Sequence, residues 1–158
     1  MSKLIGENIT IDWGDDSEIM NYSSDEDFEH EYTDNEETHT ITVTNVTELG
    51  ESCFINCVGL TSITIPSSVT SLGYSCFVEC DSLTSITIPS SVTSIGDYCF
   101  YGCTGLTSIT LEWTNEVDIP NIDEHTLIET AITSSSQIII PNESLRSAYE
   151  SKGWIPIT

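Results

Sequence analysis

A chain of 158 residues with 26 acidic and three basic side chains, for a formal charge of −23, holds one compact unit or one unit with a small cap. That balance excludes nucleic acid and insertion at an anionic membrane, both of which need clustered Lys and Arg, while it favours solubility and permits cation binding. No apolar run reaches the 18 residues of a membrane-spanning helix, and the opening MSKLIGENIT lacks the apolar core of a secretory signal, which argues against an independently exported precursor.

The acidity is uneven. Residues 1–37 carry 13 carboxylates and one lysine, residues 38–111 five carboxylates and no basic group, and residues 112–158 eight carboxylates with Arg146 and Lys152. In the leader, Ile9, Ile11 and Trp13 alternate, which predicts a strand over residues 4–13, and GDDS at 14–17 predicts a turn. Residues 23–29 are polar and acidic around Phe28, an exposed loop; His30-Glu31-Tyr32 opens a second strand or turn, and alternation returns over residues 38–44. Asp12, Asp15, Asp16 and Glu18 raise two readings. Calcium takes six to eight oxygens from a flexible acidic loop, which makes these four a candidate site. The run lacks the alternating order of a dedicated calcium loop, and an Asp15 bonding its own backbone as a turn former competes with it.

From residue 40 the chain repeats itself with a period of 23 residues. LTSITIPSSVTSLGYSCFVECDS at 60–82 returns as LTSITIPSSVTSIGDYCFYGCTG at 83–105; a third copy starts at Leu106 and fades after Leu111, and a degenerate one runs from Thr40 to Gly59. Such a period marks a solenoid, whose units bury their apolar faces only against their neighbours. Leu60, Ile63 and Ile65, with their echoes at Leu83, Ile86, Ile88 and Leu106, Ile109, Leu111, predict one strand per unit. These strands are expected to form one parallel sheet in which Ile63, Ile86 and Ile109 are neighbours. Pro66 and Pro89 end the strands, because proline gives no N–H to a ladder. Val69 and Leu72 turn back inward, and Gly73 and Gly96, matched by Gly50, close a second bend.

Each unit ends in CFxxC: Cys53-Phe54-Cys57, Cys76-Phe77-Cys80 and Cys99-Phe100-Cys103. The i, i+4 spacing predicts one short helical turn with both cysteines facing in, and a column of stacked phenylalanines. Zinc would need four ligands converging on a point, whereas this spacing spreads them along the solenoid. A disulfide within a pair fits in distance, although i, i+4 residues on a helical turn seldom have the right Cβ geometry. Free thiols acting as small hydrophobes in the core are the plain reading.

Beyond Leu111 the period is lost, although Trp113, Val117, Ile119, Ile122, Leu127 and Ile128 keep the stretch apolar. QIIIP at 137–141 reads as one more rung. Asn142 can cap a helix over residues 143–152, with Leu145, Ala148 and Tyr149 on one face and Gly153 as its stop. Three segments result: an acidic β-rich cap at 1–39, a solenoid at 40–111, and a degenerate repeat with a helical cap at 112–158.

The repeat resembles the BspA-like class of leucine-rich repeat over residues 46–111, with Cys53, Cys76 and Cys99 where alanine is usual. The tail resembles the closing segment of such arrays at Ile140, Pro141, Leu145, Ala148, Tyr149, Gly153 and Trp154. The leader is similar to a PKD-like motif at Trp13, Gly14, Asp15, Ser17, His30, Tyr32, Ile41 and Val43, which implies a shortened cap. The resemblance implies an α/β-type solenoid with a parallel sheet on one side and turns or helical turns on the other, capped at both ends. It also implies an extracellular, cell-surface or virion setting, and it carries no fixed binding residues.

No nucleophile elbow or glycine-rich phosphate loop is present, so no enzyme and no cofactor is expected. The outward strand positions, Ser62, Thr64, Ser85, Thr87, Ser108 and Thr110, repeat small hydroxyls that suit a strand and can also hydrogen-bond a glycan. Two readings remain open: a structural or adhesive module of a microbial surface or virion, and a specific protein- or glycan-binding module acting through its cap or loops.

Overall fold

The computed structural model describes residues 4–12, 20–22 and 39–155. Strand β1 (Leu4–Asp12) pairs antiparallel with β2 (Met20–Tyr22) and with β3 (His39–Leu49), with Ile11 opposite Val43. From β3 onward every strand pairing is parallel. The β3 strand serves two ladders, because its first half pairs with β4 (Leu60–Thr64) and its end with β5 (Ser71–Leu72). It bends between them at Asn45, whose φ is 59°. The sequence shows why this strand is long. Where later units carry Pro-Ser-Ser at 66–68 and 89–91, this one has Thr44-Asn45, and nothing ends the ladder.

Strand β5 continues to β7 (Ser94–Ile95), while β6 (Ser85–Ile88), β8 (Ser108–Leu111) and β9 (Ile138–Ile139) form a separate three-stranded ladder. Ile86, Ile109 and Ile138 are in register, and Ile63 pairs with Ile41. The single sheet expected from the repeat is thus divided. Strands β4 and β6 lie side by side without a ladder between them, and Thr84 N–H reaches Thr61 O only at 3.4 Å.

The CFxxC segments differ more from expectation. They are turns rather than one continuous helical turn, because only alternate N–H groups bond back three residues, as Ile55 does to Ser52 O and Cys57 to Phe54 O, while the others point along the solenoid. Phe54 N–H donates to Cys76 O at 2.8 Å and Asn56 N–H to Val78 O at 2.8 Å; one unit on, Phe77 donates to Cys99 O and Glu79 to Tyr101 O. Aiming alternate amides this way needs left-handed backbone at Ser52, Asn56, Ser75, Glu79 and Tyr98, with φ between 54° and 60°. Such φ values in non-glycine residues carry strain, offset at Ser52, Asn56, Ser75 and Glu79 by a rung-to-rung hydrogen bond from the residue's own N–H.

Inside, Phe54, Phe77 and Phe100 stack with centroids 5.3 and 5.5 Å apart and planes within 7°. Leu60, Leu83 and Leu106 and the strand isoleucines complete one continuous core. The far end is closed by aromatic side chains whose polar atoms are all satisfied: Trp113 Nε1 donates to Val92 O, Tyr149 OH to Trp113 O, and Trp154 Nε1 to Pro120 O. Asn142 accepts from Ser144 N–H, a single 3₁₀ turn leads into helix α1 (Arg146–Ser151), and Gly153 ends it at φ 87°. Of the apolar residues that follow Leu111, Val117 and Ile128 are exposed, whereas Trp113 and Ile119 are buried.

One further turn of the solenoid is hidden in the tail. Phe100 N–H donates to Thr126 O and Gly102 N–H to Ile128 O, so residues 126–130 (TLIET) occupy the place of a CFxxC segment. Thr126 is fully buried where a cysteine stood one turn earlier, and its hydroxyl has no partner. An orphan buried hydroxyl costs about 1–3 kcal/mol. Thr126→Val should therefore raise stability by about 1 kcal/mol, read as a later urea midpoint with unchanged slope. An earlier midpoint would mean that the hydroxyl is in use.

Candidate interaction surface

Five of the six cysteines are buried, Cys57 is half-buried, and all six are free. Cys53, Cys76 and Cys99 form one column and Cys57, Cys80 and Cys103 a second. Cys80 Sγ–H donates to Phe54 O at 3.1 Å and Cys103 Sγ–H to Phe77 O at 2.9 Å. Burial pushes the Cys53 and Cys99 thiols up and takes Cys57 to about 11. With no cation in the columns to hold a thiolate, both stay in the neutral, inert form. A maleimide pulse at neutral pH should leave the folded protein almost unlabelled, with Cys57 modified first and faster as the pH rises toward its titration. Labelling of all six at one rate would sink the burial.

The outward hydroxyls are only partly brought together. Ser85 pairs with Ser108 and Thr87 with Thr110, whereas Ser62 and Thr64 sit on β4 opposite Thr40 and Thr42. Thr64, Ser85 and Thr87 are exposed; Ser62, Ser108 and Thr110 are half-buried. Neighbouring hydroxyls already serve the fold, since Thr70, Thr93 and Thr107 each donate to a carbonyl 23 residues back. Asp12 lies at the exposed end of β1, and Asp15, Asp16 and Glu18 fall outside the described residues. Among the described residues no cluster of His, Cys, Asp and Glu is arranged to hold a metal, and no helix is long and apolar enough to cross a membrane.

A second surface, on the turn face, escaped the sequence reading. Tyr98 is its centre. His125 stacks on it at 4.7 Å with planes 13° apart, while Tyr74 and Tyr101 approach it at tilted angles, 5.8 and 5.7 Å away. Tyr74 is 50% exposed, and the other three rings are half-buried. The His125 ring is fixed from below by Asp123, whose Oδ1 accepts from both the His125 backbone N–H (2.8 Å) and Nδ1 (2.9 Å). The same backbone bond, more than the ring, holds the Asp123 carboxyl below its usual range. Glu129 stands beside the Tyr101 hydroxyl, and its charge and hydrogen bond push that phenol up. Exposed Ile128, whose O accepts from Gly102 N–H, lies one turn on from Tyr101.

Little in the sequence announces this cluster. Tyr74 and Tyr98 are 24 residues apart, one out of step with the repeat, and His125 lies in the stretch where the period had vanished.

The family described as BspA type leucine rich repeat region matches in six copies over residues 26–150. Two solved structures are similar. One is a leucine rich cell surface protein from Faecalibacterium prausnitzii A2-165, 23% identical over 75% of this chain and 36% of that one, with a TM-score of 0.51. The other is the leucine rich repeat protein of T. pallidum, 22% identical over 69% of this chain and 56% of that one, with a TM-score of 0.43. The chain spans about a third and just over half of their respective lengths. No curated protein matches it. The PKD-like likeness rests mostly on Trp13, Gly14, Asp15, Ser17, His30 and Tyr32, which lie outside the described residues, with only Ile41 and Val43 placed, both in β3. With a repeat match over most of its length and the parallel, capped solenoid that such a repeat builds, the chain belongs to the BspA-type leucine-rich repeat family.

Proposed function

We propose that this chain is a non-enzymatic adhesive module of a microbial surface or virion, and that it binds an extracellular macromolecule through its turn face. The observation that carries this reading is the ring cluster on the turn face, an exposed Tyr74 beside half-buried Tyr98, Tyr101 and His125. The ring pairs steady the turns, yet half of Tyr74 stays open to water, and Tyr is among the residues that dominate binding energy at interfaces. Both the membership in a family of surface repeats and the likeness to a cell surface protein support the setting. The hydroxyl positions Ser85, Thr87, Ser108 and Thr110 are a second, weaker surface for glycan.

The test is retention of beads coated with the protein on panels of extracellular proteins and glycans. Retention lost with Tyr74→Ala but kept with Thr87→Ala supports the turn face. The opposite pattern moves the function to the strands, and no retention at all leaves a structural spacer. The acidic leader remains a proposed cap, and calcium at Asp12, Asp15, Asp16 and Glu18 a proposed site. Saturable calorimetric binding of calcium that Asp15→Asn abolishes would establish that site.

A further inference from the structure

Resting on that reading of the turn face, we infer that its partner is an extended, arginine-bearing basic polypeptide segment. The rings stand among carboxylates. Glu79 and Glu129 lie beside Tyr101, Asp97 adjoins Tyr98 in the chain, and Asp123 and Glu124 surround His125, with Glu124 Oε1 3.9 Å from Nε2. Glu79, Asp97, Glu124 and Glu129 are all exposed. No lysine or arginine occurs anywhere between Lys3 and Arg146, and Arg146 is engaged by Glu143 through bonds of 2.7 and 2.9 Å. Lys152 follows Arg146, and its backbone O accepts from Ile122 N–H, but among the described residues neither Lys152 nor Arg146 makes an ion pair with these carboxylates, and His125 alone of the chain's own groups can meet their charge there. A partner that neutralises this face must bring positive charge.

The rings narrow the choice further. A guanidinium is planar and weakly hydrated, so it can lie on a tyrosine face while its edge donates to a carboxylate; an ammonium does the first poorly and holds its water more tightly. Aromatic faces with acids at their margins fit arginine in both respects. The geometry suits an extended chain. Tyr74, Tyr98 and His125 come from three successive turns, with neighbouring ring centroids 5.8 and 4.7 Å apart, so the cluster runs from turn to turn along the solenoid. The face is also ordered beforehand, since rung-to-rung bonds such as Ser75 N–H to Asp97 O and Glu79 N–H to Tyr101 O fix its backbone, which lowers the entropy lost on binding.

The test uses the full chain and three labelled nonapeptides with Arg, Lys or Glu at alternate positions and Ser between, titrated by fluorescence anisotropy. The expected result is saturable binding of the Arg peptide, at least threefold tighter than the Lys peptide, and none of the Glu peptide. Tyr74→Ala and Tyr98→Asn, the latter chosen because asparagine tolerates the left-handed backbone at position 98, should each weaken the Arg peptide about tenfold without altering the protein's charge. Thr87→Ala should not, and circular dichroism checks that each variant is folded. Equal affinity for Arg and Lys peptides, untouched by the ring variants, would show diffuse charge attraction alone and overturn the inference. So would an absence of binding. If the bead panel still retains a partner through Tyr74 while the Arg peptide fails, the inference falls and the adhesive reading stands; if both fail, both fall.

Discussion

Phe77→Ala should lower the unfolding free energy by about 3–5 kcal/mol. Phe77 is fully buried and stacked on both faces, by Phe54 on one side and Phe100 on the other. Truncation removes the transfer energy of the ring and leaves a gap that cannot collapse. The backbone on each side is pinned by Phe54 N–H to Cys76 O and Phe77 N–H to Cys99 O, both 2.8 Å. Each kcal/mol shifts the melting temperature of a chain this size by roughly 2–4 °C, so a fall of about 6 °C or more is expected. Because solenoid stability sums over neighbouring interfaces, the loss in the middle of the column should exceed that of Phe54→Ala, which opens a contact with one phenylalanine only. Cys76→Ala, one residue away, should cost about 1 kcal/mol. Urea unfolding followed by fluorescence measures all three. A Phe77→Ala loss no greater than that of Cys76→Ala would mean that the phenylalanine column does not hold the rungs together.

How much of this was legible depended on whether a feature repeats. The strand positions, the stops at Pro66 and Pro89, and the phenylalanine column recur every 23 residues, and the periodicity alone places them inward or outward. The conformation of the CFxxC turns was not legible. Helical spacing and the observed left-handed kinks both bury Cys76 and Cys80, and Ser75, Glu79 and Tyr98 do not announce a positive φ as glycine would. Gly102, at φ 71°, and Asn56, both in the column of Glu79, hint at it. The rung at residues 126–130 was hidden for a different reason. Thr126 follows Cys99 by 27 residues rather than 23, and TLIET shares no identity with CFYGC, yet Leu127 and the small Thr126 satisfy the same packing. The hydroxyl ladder was visible because strands alternate. The ring cluster was not, because it joins residues from three turns, one of which the period does not reach. Conversely, Asn142 as a cap and Gly153 as a stop were readable from local chemistry without any repeat.

The glycines give the sharper test of how closely the rungs approach. Gly96 has no positive φ, so its lack of a side chain is a matter of space rather than of backbone freedom. A Cβ there would stand 2.4 Å from Tyr74 N and 2.6 Å from Gly73 C, and one at Gly73 would meet Gly50 C at 2.4 Å. Those neighbours are backbone atoms of the preceding rung and cannot turn aside as a side chain would. To admit a methyl group, the rungs must separate by about 1 Å, since carbon atoms in contact rest about 3.5 Å apart. That separation would break the bond from Gly96 N–H to Leu72 O, now 2.8 Å, and strain the β5–β7 pairing of Leu72 with Ile95. Gly96→Ala should therefore cost about 3 kcal/mol or more, at or above the top of the range for overpacked cores. Gly59→Ala is the control. A Cβ at Gly59 meets nothing within 4 Å, so alanine there should be neutral or stabilising by about 0.4–1 kcal/mol, through the stiffer unfolded chain. The two variants make the same chemical change and differ only in what the methyl group meets. Urea midpoints give the stabilities, and amide exchange at Gly96 reports whether its own hydrogen bond has opened. Equal midpoints for the two variants would show that the rungs yield freely, and the close glycine column would then have no part in setting their spacing.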